Sequence, residues 1–262
     1  MRVSPLLKEI RHNPLLWLLV FVPVVFAAEK VKPDAHTLLF LLSVLAIVPL
    51  AALLSHATES VASKTGDSVG GLLNATLGNL TELVIAATAL RAGQYMLVKA
   101  SVAGAIVTNT LFMLGASFFL GGLKYHVQEY NKSSARLQAG LLFLATVALL
   151  IPSAVSQADS PVVAEFTRKL SLGLSVLLIA AYGLGLLFSL KTHRDFFGSA
   201  ERHGEEEAAT WPIGLALGTL AGVTVLVALV SEIFVESVQG AALAMGMSKA
   251  FVGFIVVALV GD

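Results

Sequence analysis

The chain has 262 residues, 56% of them hydrophobic and only 13% charged, and its 17 basic and 17 acidic side chains cancel. Soluble domains carry about a quarter charged residues, so this composition excludes an ordinary soluble domain and points to a multi-pass integral membrane protein. Zero net charge gives no footing for a nucleic-acid partner, and the absence of cysteine excludes disulfides and thiolate metal sites.

The N-terminus, Met1 to Asn13, is basic and is followed by a short apolar run, Pro14 to Ala28. Ala27-Ala28-Glu29 is a poor cleavage site and many apolar runs follow, so this run reads as a retained first helix rather than a signal peptide. A membrane-spanning helix needs about 20 apolar residues. The next runs are Thr37 to Ser55, which contains Pro49 and continues towards Glu59, and Ser68 to Leu90, which is interrupted by Glu82. Ala100 to Leu123, Leu137 to Ser156, Leu170 to Leu190 and Trp211 to Ser231 follow. A last run opens near Ala250 and is still apolar at Gly261-Asp262. This predicts seven spans and the beginning of an eighth, about 7–8 transmembrane helices in all. About twelve residues cannot cross a bilayer, so the sequence is expected to be C-terminally truncated, a re-entrant helix being the alternative.

Lys and Arg set the orientation. With the N-terminus in the cytoplasm, inside segments hold ten of them, from Arg2 to Arg202, and outside segments seven, from Lys30 to Lys249. The excess predicts a cytoplasmic N-terminus, in the plasma (inner) membrane if the source is prokaryotic. Residues 191–210 are the longest polar stretch and end in Glu205, Glu206 and Glu207. They then form a cytoplasmic linker, either simply solvated or acidic enough to attract cations.

Two helices echo each other. AALLSHATESV (51–61) and ALVSEIFVESV (228–238) align without gaps, and each is followed by a Gly-polar pair, Gly78-Asn79 or Gly261-Asp262. Five helices separate the two units, and an odd number inverts the second in the membrane. Inverted repeats are a feature of many secondary transporters, whose sites lie near the midplane.

The polar residues inside the third run carry the chemistry. On a continuous helix at 100° per residue, with Asn74 as origin, Thr81 falls at about −20°, Glu82 at about 80° and Asn79 at about 140°. All four oxygen-bearing side chains then share one face, while Leu72, Leu77, Leu80 and Leu83 cover the rest. Gly70, Gly71, Ala75 and Gly78 permit close helix approach, and glycine lets a helix loosen where it lines a cavity. A carboxylate in this setting costs at least a few kcal/mol and marks an ion pathway, against the alternative of a Glu bonded to a neighbouring helix. Glu59, Glu232 and Glu236 lie near helix ends, where an interfacial role weighs as much as ion binding. His56 reads as a local polar contact. Hard oxygen donors favour Ca2+, Mg2+, Mn2+ or Na+ over zinc or copper. A buried Glu also binds protons, so one site that takes a cation or a proton is the physical basis of antiport.

GGLLNATLGNLTELV (70–84) closely resembles the first signature of the calcium/proton exchanger family, within the cation/calcium exchanger superfamily. IVPLAALLSHATESVA (47–62), KASVAGAIVTNTLFMLGASFFLGGL (99–123) and GMSKAFVGFIVVALVGD (246–262) resemble the family's flanking helices and the opening of its second signature. The resemblance implies an all-α, inverted-repeat cation exchanger fold, its first repeat complete and its second only begun. Residues 1–36 would hold an extra helix, 37–190 the first five-helix repeat, 191–210 the acidic linker, and 211–262 the start of the second repeat. It implies Ca2+/H+ antiport, with Ca2+ and protons as substrates, no cofactor and the lipid bilayer as surroundings. Glu82 would be the cation and proton carboxylate, Asn79 and Asn74 its oxygen neighbours, and Asn109 a polar position on the following helix. Glu59 and Glu236 are retained as secondary candidates. Leu80 replaces a usual small residue, and Asp262 stands where Asn is usual. The second repeat's carboxylate is expected three residues beyond Asp262, so the chain as given is not expected to transport. Na+/H+ or Mn2+/H+ exchange on the same fold, or a non-transporting membrane fragment, are the alternatives. An intramembrane enzyme is disfavoured, because the sequence has no H-E-x-x-H, no G-x-S-x-G and no paired aspartates in the spans. Oligomeric state is left open.

Overall fold

The structure, a computed structural model, describes residues 4–65, 67–156, 160–193 and 211–261. Helices follow one another throughout. Helix α1 (Ser4–His12) is short and amphipathic. The Asn13 side chain accepts the Leu15 N–H at 3.1 Å and so opens α2 (Pro14–Val31), which starts as a 3-10 turn over Pro14–Val20. Pro14 suits that first position because it has no N–H to leave unpaired. Next come α3 (His36–Ala62), α4 (Asp67–Leu77), α5 (Leu80–Arg91) and α6 (Tyr95–Lys124). They are followed by α7 (Lys132–Val155), α8 (Pro161–Thr192), α9 (Ile213–Ala244) and α10 (249–261).

Among the described residues, six helices (α2, α3, α6, α7, α8 and α9) are long and apolar enough to cross a membrane. They occupy six of the runs predicted from sequence. The third run, Ser68 to Leu90, folds as two short pieces, α4 and α5, of 11 and 12 residues. Helices α5 and α9 end alike. Gly93 (φ 70°) and Gly246 (φ 66°) take the left-handed conformation, and the next N–H groups, of Gln94 and Met247, reach back to the carbonyls of Ala89 and Ala242 at 2.8 Å. Glycine adopts that conformation without strain and lets the closing bonds form.

The chain forms two compact units that do not follow chain order: Met1–Gly115 with Ala209–Asp262, and Ala116–Ala208. In the first, α3 and α9 make the main seam. Small and branched residues line it, with Ala46, Ile47, Leu50 and Ala57 from α3 and Ala216, Val227, Val230 and Ala241 from α9 fully buried. In lipid such a seam is held by close van der Waals packing, which small side chains favour, rather than by expulsion of water. Pairwise contacts give its direction. His36 lies against Gly240, Phe40 stacks on Phe234 with ring centroids 5.4 Å apart, and the Trp211 N–H donates to Ser60 Oγ at 3.3 Å. As one residue number rises the other falls, so the two echoing helices run antiparallel. Helix α10 crosses α6 backbone to backbone. A Cβ on Gly104 would stand 2.8 Å from the Phe254 Cα, and one on Gly253 would stand 2.9 Å from the Leu97 carbonyl oxygen. Each crossing helix also widens into a π turn, Thr108–Met113 in α6 and Val252–Val257 in α10. In the second unit α7 packs along α8, with the buried Gly185 of α8 against Leu141 of α7.

Candidate cation site

The helical run that carries the polar residues is broken at Gly78-Asn79. This corrects the expectation of one continuous helix over 74–82: the 100° spacing does not carry from Asn74 across to Glu82. The cause is local. Gly in a helix interior costs about 1 kcal/mol relative to Ala, and an Asn side chain competes for backbone partners. The Gly78 N–H still bonds the Asn74 carbonyl at 2.9 Å, and there α4 stops. A Cβ at residue 78 would stand 2.6 Å from that same carbonyl oxygen, so the tight end requires glycine. Asn79 sits just outside α5 at φ −101°, ψ 24°; its carbonyl accepts the Leu83 N–H at 3.1 Å, and its side chain makes no capping bond.

A helix break has electrostatic consequences. The last carbonyls of α4 and the first N–H groups of α5 lose their in-helix partners. The carbonyl end carries partial negative charge and attracts a cation, while the N–H end carries partial positive charge and favours a carboxylate. Glu82 stands in the first turn of α5. The carbonyl end of α4 and a carboxylate in the first turn of α5 therefore flank one break within an apolar run.

Burial distributes the candidates unequally. Thr81 is 2% exposed and, with Ile85 and Ala89 at helical spacing, fixes α5 in the core. Glu82, beside Thr81, is half-buried, and its Oε2 is shut off from solvent. Asn74 and Asn79 are exposed. The carboxylate thus turns inward and the two amides outward, rather than all sharing one buried face. Asn109 is exposed within the wide turn of α6, next to the buried Thr108. Glu59 is exposed in the last turn of α3, and Glu232 and Glu236 are exposed one turn apart on α9. The antiparallel seam separates them. Glu59 lies at the Ser60–Trp211 end, and Glu236 at the level of Phe40 and Phe234, about 30 Å away along the helix axes. These two carboxylates cannot hold one ion together. Glu205, Glu206, Glu207 and Asp262 lie outside the described residues.

Among the described residues no three His, Asp or Glu side chains stand together as a metal-binding group. The oxygen donors around the break are the Glu82 carboxylate and nearby backbone and amide oxygens, a donor type that suits hard ions such as Ca2+. Two features escaped the sequence reading. One is the α6–α10 crossing, whose signal was Gly104 within an otherwise continuous apolar run. The other is the contact of His56 with Trp211, 155 positions apart in the chain, with ring centroids 4.5 Å apart. Nothing local in the sequence marks that pair.

Residues 35–191 match the family described as sodium/calcium exchanger protein. A Ca2+/H+ antiporter of Aphanothece halophytica is 36% identical over 94% of this chain and 69% of its own length. A Ca2+/H+ antiporter of Synechocystis is 39% identical over 94% of this chain and 70% of its own length. The solved structure of native YfkE superposes with a TM-score of 0.76 at 33% identity, over 94% of this chain and 68% of that one. With a family match over more than half of its residues and relatives above 30% identity along most of its length, the chain belongs to the sodium/calcium exchanger protein family.

Proposed function

We propose that this multi-pass membrane protein is a Ca2+/H+ antiporter in which Glu82 binds the cation and the proton in turn. Two relatives that match along nearly all of the chain are themselves Ca2+/H+ antiporters. The observation that carries the reading is the position of Glu82: half-buried, in the first turn after a helix break, inside an apolar run. Ionised, it supplies charge and oxygen to Ca2+ beside the freed carbonyls of α4. Protonated, it is neutral and tolerates the low-dielectric surroundings. The two states exclude each other, which couples the ions. Asn79 and Asn74 act as outer oxygen ligands as Ca2+ sheds water, and Asn109 lines the path. A single carboxylate leaves a divalent ion with net positive charge in low dielectric, so the reading requires a second carboxylate from the inverted repeat. The antiparallel pairing of α3 with α9 supports that repeat.

In this reading the N-terminus and residues 191–210 share the cytoplasmic side. Both Glu9 of α1 and Trp211, which follows the linker, meet the same end of α3. The segments 1–36, 37–190, 191–210 and 211–262 then serve as extra helix, first repeat, linker and second repeat. The test is exchange by the protein extended to include the second repeat's carboxylate, reconstituted in vesicles loaded at acidic pH. External Ca2+ is expected to drive proton release, and the same release is expected with the membrane potential clamped. Proton release driven by Na+ or Mn2+ but not by Ca2+ would contradict the reading.

A further inference from the structure

A second cluster joins three parts of the first compact unit. His56 lies two turns before the end of α3, with its side chain 24% exposed. On one side its Nε2 is 4.0 Å from Glu9 Oε2 of α1. On the other its ring lies against the indole of Trp211, centroids 4.5 Å apart and planes tilted by 36°. Its Nδ1 is buried and makes no hydrogen bond. Trp211 is 1% exposed and is tied to α3 a second time through its N–H to Ser60 Oγ. Leu6 and Ile10 of α1 pack against the core of the unit, so α1 docks by an apolar face and meets α3 with one carboxylate.

The geometry points to a proton-responsive clamp, separate from the transport carboxylate, in which protonation of His56 fastens α1 and the start of the α9 segment to the end of α3. Imidazole is the side chain whose charge ordinarily changes between about pH 5 and 8. A neutral ring offers Glu9 one polar hydrogen at most and carries no charge to hold the carboxylate. An imidazolium ring pairs with the Glu9 carboxylate and presents a cation to the indole face. The titratable or charged groups around the ring are Lys8, Glu9, Arg11 and His12 of α1, Glu59 of α3 and Lys64 just beyond it, and of these Glu9 lies at ion-pair distance from the ring. The His12 ring is engaged with the Lys8 carbonyl at 2.9 Å. Glu205 to Glu207 precede Trp211 but lie outside the described residues. Acidification on the side where α3 ends thus draws three segments together.

The test needs no transport, so it stands or falls apart from the antiport reading. The chain has two tryptophans, and Trp17 is 62% exposed on α2. In a Trp17→Phe protein in detergent, all indole emission comes from Trp211, and an imidazolium in ring contact quenches it. The expected result is a loss of fluorescence as pH falls from about 8 to about 5, absent in Trp17→Phe/His56→Gln. At about pH 6.5, Trp17→Phe/Glu9→Gln is expected to have lost less of its fluorescence than the parent. A spin label on Leu7→Cys, in a chain without native cysteine, should lose mobility on acidification unless His56 is replaced. Quenching that survives His56→Gln overturns the proposal. So does quenching that is lost in His56→Gln but identical with and without Glu9, or a label on α1 whose mobility does not respond to pH.

Discussion

At the residue scale, Glu82 was legible in the sequence because a carboxylate in an apolar run is expensive and needs a reason to persist. Its surroundings were not. The helical wheel assumed an unbroken helix, and the break at Gly78-Asn79 turns Asn74 and Asn79 outward while Glu82 faces in. Gly78 and Asn79 are both weak helix residues, but propensity alone did not decide between a loosened helix and a stopped one. The stop gives a direct prediction. Gly78→Ala places a Cβ 2.6 Å from the Asn74 carbonyl oxygen, so the end of α4 must shift. Thermal unfolding in detergent is expected to show a loss of about 1–3 kcal/mol, the usual cost of overpacking. Gly115, where a Cβ meets nothing within 4 Å, is the control, and Gly115→Ala should not destabilise the protein.

At the scale of elements, six long helices followed from uninterrupted apolar runs, since hydropathy and length suffice to find them. The gapless echo of 51–61 and 228–238 hinted at a relation between α3 and α9, but no local pattern could say that the two pack on each other. Their antiparallel register is testable because the chain has no cysteine. Cysteines introduced as His36→Cys and Gly240→Cys should cross-link readily, whereas His36→Cys with Ile213→Cys, the parallel register, should not. A double-mutant cycle of Phe40→Leu and Phe234→Leu should show a coupling of about 0.5–1.5 kcal/mol, as expected for stacked rings. The α6–α10 crossing belongs to the same scale. Gly104→Val drives a branched side chain into the Phe254 backbone and is expected to separate the two helices, read as increased proteolysis within residues 245–249.

At the scale of the molecule, membrane character was legible from composition, and family membership from the motif around Glu82. The two compact units were not legible, because they join 1–115 to 209–262 through contacts far apart in the chain. The meeting of Glu9 and Trp211 at one end of α3 predicts that residues 1–3 and the 191–210 linker are labelled from the same side of a sealed vesicle. Introduced cysteines with an impermeant maleimide check this, and labelling from opposite sides would contradict the proposed topology. The central claim is that one carboxylate, Glu82, alternates between Ca2+ and a proton. It is tested most directly by Ca2+-driven proton release from vesicles holding equal amounts of folded protein that includes the second repeat's carboxylate, with and without Glu82→Gln. The account predicts that Glu82→Gln abolishes release while leaving the amount and thermal stability of the protein in the membrane unchanged. Proton release at the unmodified rate from Glu82→Gln would show that the carboxylate is structural and would contradict the account.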